Sequence, residues 1–138
     1  MFVKLACATA AIALSVSMVH ADDSIIALGK MAYSENCAVC HGSDAKGGGV
    51  MAQVLTVRPP DLTKIAERAG GPFSVPEVFD VIVMGKDTPG HGSSAMPVWG
   101  DYFFADALKE EGKSNLDAIT IAAGRVLSLT YYLESIQQ

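Results

Sequence analysis

Three cysteines, three histidines and one tryptophan in 138 residues leave little material for sites built from several coordinating side chains. A structural zinc ion needs four N or S ligands, and outside one short cluster the chain offers only Cys7, His20 and His91. Charge is also scarce, at 18% of residues, with ten basic against fifteen acidic side chains. No basic tract stands out, so there is no footprint for nucleic acid. Neither a Ser/His/Asp set nor paired carboxylates can be assembled, which removes the usual grounds for a hydrolase. Internal repeats and low-complexity tracts are absent. With half of its residues hydrophobic, a chain of this length builds one domain and has no room for a second core.

The positive mean hydropathy comes largely from the first twenty residues. Residues 5–19 form an apolar run of small side chains, preceded by Lys4 and closed by Val19-His20-Ala21. That is the pattern of a secretory leader with a small-residue cleavage site, and it is short for a bilayer span. The expectation is export to the periplasm with cleavage after Ala21, leaving a domain of residues 22–138 with no membrane span. An uncleaved N-terminal anchor is the alternative. Cys7 lies near the start of the run, which argues against a lipoprotein. Removing residues 1–21 takes away Lys4 and no acidic residue, so the formal charge moves from −5 to −6. An acidic protein favours a basic docking partner.

Against this scarcity stands Cys37-Ala38-Val39-Cys40-His41. On a helix, Cys37, Cys40 and His41 fall at i, i+3 and i+4, on one face. C-x-x-C-H is the attachment signal for a c-type haem, in which two thiols add across the porphyrin vinyl groups and the imidazole takes an axial position on iron. Two other readings of C-x-x-C are a zinc half-site and a thioredoxin-like dithiol. The first lacks ligands. The second should follow a strand in a β-α-β unit, whereas Met31-Ala32-Tyr33 reads as helix. With both thiols bound to haem, neither remains for a disulfide.

A first helix follows Asp22-Asp23-Ser24, with Ile25, Leu28, Ala32 and Tyr33 as its apolar face. Gly29 within it points to close approach by another helix, or to a glycine on the solvated side. Residues 42–49 are a glycine-rich loop, able to lie against a flat ligand because it has few side chains. Asp61 caps a short helix ending at Ala69. A carbonyl of the Pro59-Pro60 region can accept the second ring proton of His41 and fix its tautomer, and Arg58 can pair with a haem propionate. An ordinary Pro-rich turn with a solvated arginine explains the same residues. Ser74-Val75-Pro76-Glu77 predicts a capping box and a helix over 75–84, with Val78, Phe79, Ile82 and Val83 as its buried stripe. A short helix over 101–108 precedes a solvated polar loop. The last helix starts near Asn115, with Leu116, Ile119, Ala123, Val126, Leu127, Thr130 and Leu133 at helical spacing and Gly124 as a second site of close packing.

A six-coordinate haem needs a second axial donor, and a thioether suits iron by softness and raises the potential. Met31 and Met84 fall on predicted helices, where packing explains them, and Met51 is only ten residues past His41. Met96, flanked by proline in a glycine-rich loop, is the favoured ligand; His91 and an open site are the alternatives. Trp99 can place its ring at the porphyrin edge and its N–H on a propionate, or simply plug the core.

Gly29 and Tyr33 before the C-x-x-C-H motif, Met96-Pro97 downstream and Tyr131-Tyr132-Leu133 near the end together resemble a class I monohaem cytochrome c of the small exported bacterial kind. The resemblance covers nearly all of residues 22–138. It implies an all-α cytochrome c fold, with four to five helices wrapped around one covalent haem c exposed at one edge. It also implies that the first and last helices cross near right angles, with Gly29 making room for an aromatic residue of the last. The chain departs from the shortest members in its long 59–100 region, which leaves open the carbonyl that supports His41. The function expected is electron transfer between redox protein partners, without catalysis, as a monomer or as a haem subunit of a periplasmic dehydrogenase or oxidase complex. A catalytic or gas-binding haem protein would instead leave Met96 off the iron.

Overall fold

A computed structural model describes residues 23–85 and 97–138. The expected all-α class is borne out. Its helices are α1 (Asp23–Asn36), α2 (Ala38–His41), α3 (Ile65–Ala69), α4 (Val75–Met84), α5 (Trp99–Ala107) and α6 (Asn115–Ser135), with 3-10 turns at Val50–Gln53 and Leu62–Lys64. Two of the six helices are a single turn or little more, which accounts for the excess over four to five. Met96 and His91, and the leader expected over 1–21, lie outside the described residues.

The long helices α1 and α6 pack on each other, and the reason is Gly29. A Cβ placed there would lie 1.9 Å from the Ser128 carbonyl oxygen and 2.8 Å from the Tyr132 Cβ. The near neighbour is therefore backbone first and aromatic second, a closer approach than room for a ring requires. Tyr33, one turn on, is 1% exposed and tilts against Tyr132 at 5.3 Å between ring centroids. Tyr33 faces the core as expected, but the face before it is corrected by about one position: Ile25 and Leu28 are exposed, while Ile26 and Gly29 face the core. A glycine can be the buried residue of a stripe, so counting large apolar side chains misplaces the face.

The last helix is corrected in part: Val126, Thr130 and Leu133 are buried as expected. Leu116 and Ile119 are 72% and 55% exposed, and Leu127 is exposed too. Its buried side is Ala118, Ala122, Val126, Leu129 and Leu133, where alanines let α6 come close to α4 and α5. Gly124 meets nothing within 4 Å of an added Cβ, so the second close approach is absent. Ser114 caps α6 through a reciprocal box with Asp117, a signal the sequence reading passed over. Ser74 opens α4 as expected, but its side chain makes no capping bond. The 109–114 loop is also less free than expected, because Arg125 of α6 pairs with Glu110 at 3.1 Å and with Asp106 at 2.9 Å.

Candidate haem site

The motif is built where α1 passes into α2. Cys37 keeps helical dihedrals, and its carbonyl accepts from the backbone N–H groups of Cys40 (3.1 Å) and His41 (2.9 Å). The helical spacing expected of the three side chains is therefore realised. Cys37 is 8% exposed, His41 is 2% exposed and Cys40 is half-buried. The glycine loop then folds back over the end of α2: Gly47 N–H donates to the His41 carbonyl (2.7 Å) and Gly49 N–H to that of Cys40 (3.1 Å). A Cβ at Gly47 would stand 2.1 Å from the Pro59 carbonyl oxygen, and one at Gly49 2.4 Å from that of Val39. The loop lies tightly on backbone and lines no part of the ligand cavity, because side-chain-free residues are needed where three stretches of main chain meet. Tyr33 anchors its start by donating its hydroxyl to the Gly42 carbonyl at 2.6 Å.

A cavity of about 300 Å³ opens in front of the motif. Tyr33, Cys37, His41 and Pro60 form one wall. Val78, Val81 and Ile82 of α4, Trp99 of α5, and Leu129 and Leu133 of α6 form the rest, with Leu62 and Ile65, and with Arg68 and Glu77 as its charged members. The His41 ring meets the Pro60 carbonyl at 3.3 Å through Nδ1. A carbonyl only accepts, so the proton sits on Nδ1 and Nε2 keeps its lone pair. Burial lowers the imidazole pKa, and the Pro60 bond partly offsets it. Burial, and next the neighbouring Cys40, push the Cys37 thiol up to about 12. Burial is likewise the main cause that raises the Tyr33 phenol far above its usual range.

These values separate the alternative readings. A redox dithiol works through a lowered thiol pKa, the opposite of Cys37, and among the described residues no strand precedes the pair. Nor do His, Cys, Asp or Glu side chains there converge in a group that could hold a metal ion directly. What the site does offer is an apolar cavity with the Cys37 thiol and a neutral imidazole at one wall, and the Cys40 thiol one turn of helix from Cys37. Trp99 Nε1 is also buried with no hydrogen-bond partner among the described residues, an arrangement native proteins rarely tolerate unless a ligand completes it. A haem, apolar in its body and anionic at its propionates, fits each of these.

The family model for cytochrome c matches residues 26–115. The chain belongs to the cytochrome c family. Membership carries covalently bound haem c and haem-based electron transfer with it. Among curated proteins, this cytochrome is 29% identical over 102 residues to the cbb3-type cytochrome c oxidase subunit FixP of Rhizobium meliloti (strain 1021), covering 74% of this chain and 30% of that one. It is 31% identical over 91 residues to the FixP subunit of Sinorhizobium medicae (strain WSM419), covering 66% and 27%. The cytochrome thus spans less than a third of the length of these relatives. No solved structure gives a significant match.

Of the residues singled out in the sequence, Cys37, His41 and Trp99 share the cavity. Arg58 is exposed and does not line it; Arg68 does, and its Nη1 donates to the Asp61 carbonyl at 2.5 Å. The sequence reading missed Arg68 because its place depends on how α3 folds back past Pro60. A helical arginine carries no local mark of that. Met31, Met51 and Met84 are all more than 40% exposed, and none lines the cavity. The packing expected of Met31 and Met84 on their helices is not observed.

Proposed function

We propose that this cytochrome is an exported electron carrier, not an enzyme, whose haem iron is held by His41 and Met96. The observation that carries the proposal is the His41 imidazole, buried, neutral and oriented by Pro60 beside Cys37 at the mouth of an apolar slot. Cys37 and Cys40 would hold the haem covalently, and Trp99 Nε1 and the Arg68 guanidinium are the donors available to its propionates. Bound haem supplies a one-electron couple between ferrous and ferric iron. The residues' part is to exclude water, fix the imidazole tautomer and fill the coordination sphere so that no exchangeable ligand enters. Met96 is supported as the second ligand by its position three residues before Trp99, and by the placement of Met31, Met51 and Met84 away from the cavity. The leader at 1–21 supports periplasmic export, with 22–138 as the mature domain.

The test is an absorption spectrum of the purified protein, oxidised and reduced, with and without CO or cyanide, together with its intact mass. The expected result is covalent haem, a sulfur-to-iron charge-transfer band in the ferric state and slow or absent ligand uptake. In Met96→Ala the band disappears and CO binds rapidly. Rapid uptake by the native protein overturns the closed coordination.

A second reading has its own support. Val50 and Val54 are more than 70% exposed, and Val39, Met51 and Val57 are exposed on adjoining segments beside the motif. Residues 47–57 carry no charge at all. An uncharged, apolar surface of this kind suits permanent association, as does similarity to proteins named as oxidase subunits. Among the described residues no helix is long and apolar enough to cross a membrane. Gel filtration of native extract separates the readings, because a free carrier elutes near its own mass.

A further inference from the structure

The Pro60 carbonyl on which His41 depends belongs to a stretch with few backbone donors of its own. Pro59 and Pro60 have no backbone N–H to donate, and the first donor after them that acts in this region is Leu62 N–H, on the Ala45 carbonyl at 2.7 Å. Close by, Arg68 Nη1 donates to the Asp61 carbonyl and the Asp61 carboxylate accepts from Thr63 N–H at 2.9 Å; the long-range support arrives from the far end of the chain. Gln137, just beyond α6, accepts from Ala66 N–H through Oε1 at 3.0 Å. Its Nε2 donates to the Leu62 carbonyl at 2.9 Å and to the Leu133 carbonyl of its own helix at 2.7 Å. Gln138 N–H adds a bond to the Thr63 carbonyl at 2.9 Å. One half-buried amide thus ties residues 62 and 66 to α6 across sequence separations of 75 and 71. Leu133, to which the same amide is bonded, lines the haem cavity.

We propose that Gln137 is a positioning residue for the proximal histidine: it sets the 60–66 segment against α6 and thereby the strength of the His41 Nδ1–H to Pro60 hydrogen bond. This rests on His41 being the axial ligand. A hydrogen bond to the distal nitrogen of a ligating imidazole raises its basicity and favours the more positive metal ion. Loosening the clamp therefore weakens that donation, raises the reduction potential and frees the Nδ1 proton to exchange with water.

The experiment uses the intact holoprotein labelled with ¹⁵N-histidine, in its ferrous form, together with a potentiometric titration. Gln137→Ala is expected to speed exchange of the His41 ring proton by about tenfold or more and to shift the potential upward. Gln137→Glu keeps the acceptor for Ala66 and loses the donor to the Leu62 and Leu133 carbonyls, and should speed exchange of the ring proton as well, by less than Gln137→Ala. Val126→Ala, which thins the core of α6 without touching the clamp or the cavity, should lower the melting temperature and leave both readouts unchanged. The proposal fails if Gln137→Ala behaves as the native protein, or if Val126→Ala moves exchange and potential as far. Should the native ferrous protein show no ring proton of an iron-bound His41, the ligand assignment itself is wrong, and that outcome is distinct from the other two.

Discussion

From Val126 onward, α6 buries Val126, Ser128, Leu129, Thr130, Tyr132 and Leu133, whereas before Gly124 it buries only Ala118 and Ala122. The C-terminal half meets α1 at backbone distance and supplies Leu129 and Leu133 to the lining of the cavity. The N-terminal half rests on α4 and α5 through methyl groups and turns Leu116 and Ile119 to solvent. One continuous helix therefore serves as pocket wall at one end and as a lightly seated strut at the other. The contrast teaches that a helix is committed residue by residue, by what stands opposite each position, and not by how apolar the whole of it is.

The sharpest way to break the comparison is to substitute Gly29, where α1 meets the C-terminal half of α6. Gly29→Ala drives a Cβ into the Ser128 carbonyl, which cannot swing aside as a flexible side chain would. The expected loss exceeds about 4 kcal/mol and should appear in denaturant unfolding and in a collapse of haem-loaded yield. Leu129→Ala, a truncation against the cavity, is expected to cost about 2–5 kcal/mol in the same measurement.

At the other end the effects are smaller and depend on pH. The Asp117 carboxyl is held below the ordinary carboxylate range, first by the Ser114 backbone N–H and then by its hydroxyl. A carboxyl whose folded pKa is depressed stabilises the fold above its unfolded pKa, and that contribution disappears as pH falls through the folded value. Asp117→Asn should therefore lower the melting temperature at neutral pH and converge with the native protein in acid. A difference that persists in acid would mean that the carboxylate charge is irrelevant to the cap. Last, Gly124→Ala should stabilise by roughly 0.5–1 kcal/mol, since alanine is the better helix former and the space is open. A destabilised Gly124→Ala would show that the strut is packed more tightly than its contacts indicate.

Much of the site was legible because the motif is local. Cys37, Cys40 and His41 need only one turn of helix to share a face, and the sequence carries that turn within itself. The proline carbonyl was legible in type, since a nearby X-Pro stretch has acceptors and few donors, and the structure selects Pro60. What could not be read is whatever depends on sequence-distant pairing. Arg68 enters the cavity, and Gln137 reaches Leu62 and Ala66, only after α3 and α6 are placed, and nothing in their own neighbourhoods marks them. Ile25, Leu28, Leu116 and Ile119 misled for a further reason. In α1 and in the first turns of α6 the buried positions include Gly29, Ala118 and Ala122, because close helix contact there excludes bulk.

The glycine loop at 42–49 has a consequence for how such a protein can diversify. Where main chain rests on main chain at Gly47 and Gly49, no side chain can be added, so mutation there yields damage and never a new specificity. The neighbouring stretch from 50 to 57 is largely outward-facing and uncharged, and it is free to vary. Descendants of this scaffold that acquire new redox partners should therefore differ in that stretch, and keep the turn before it fixed.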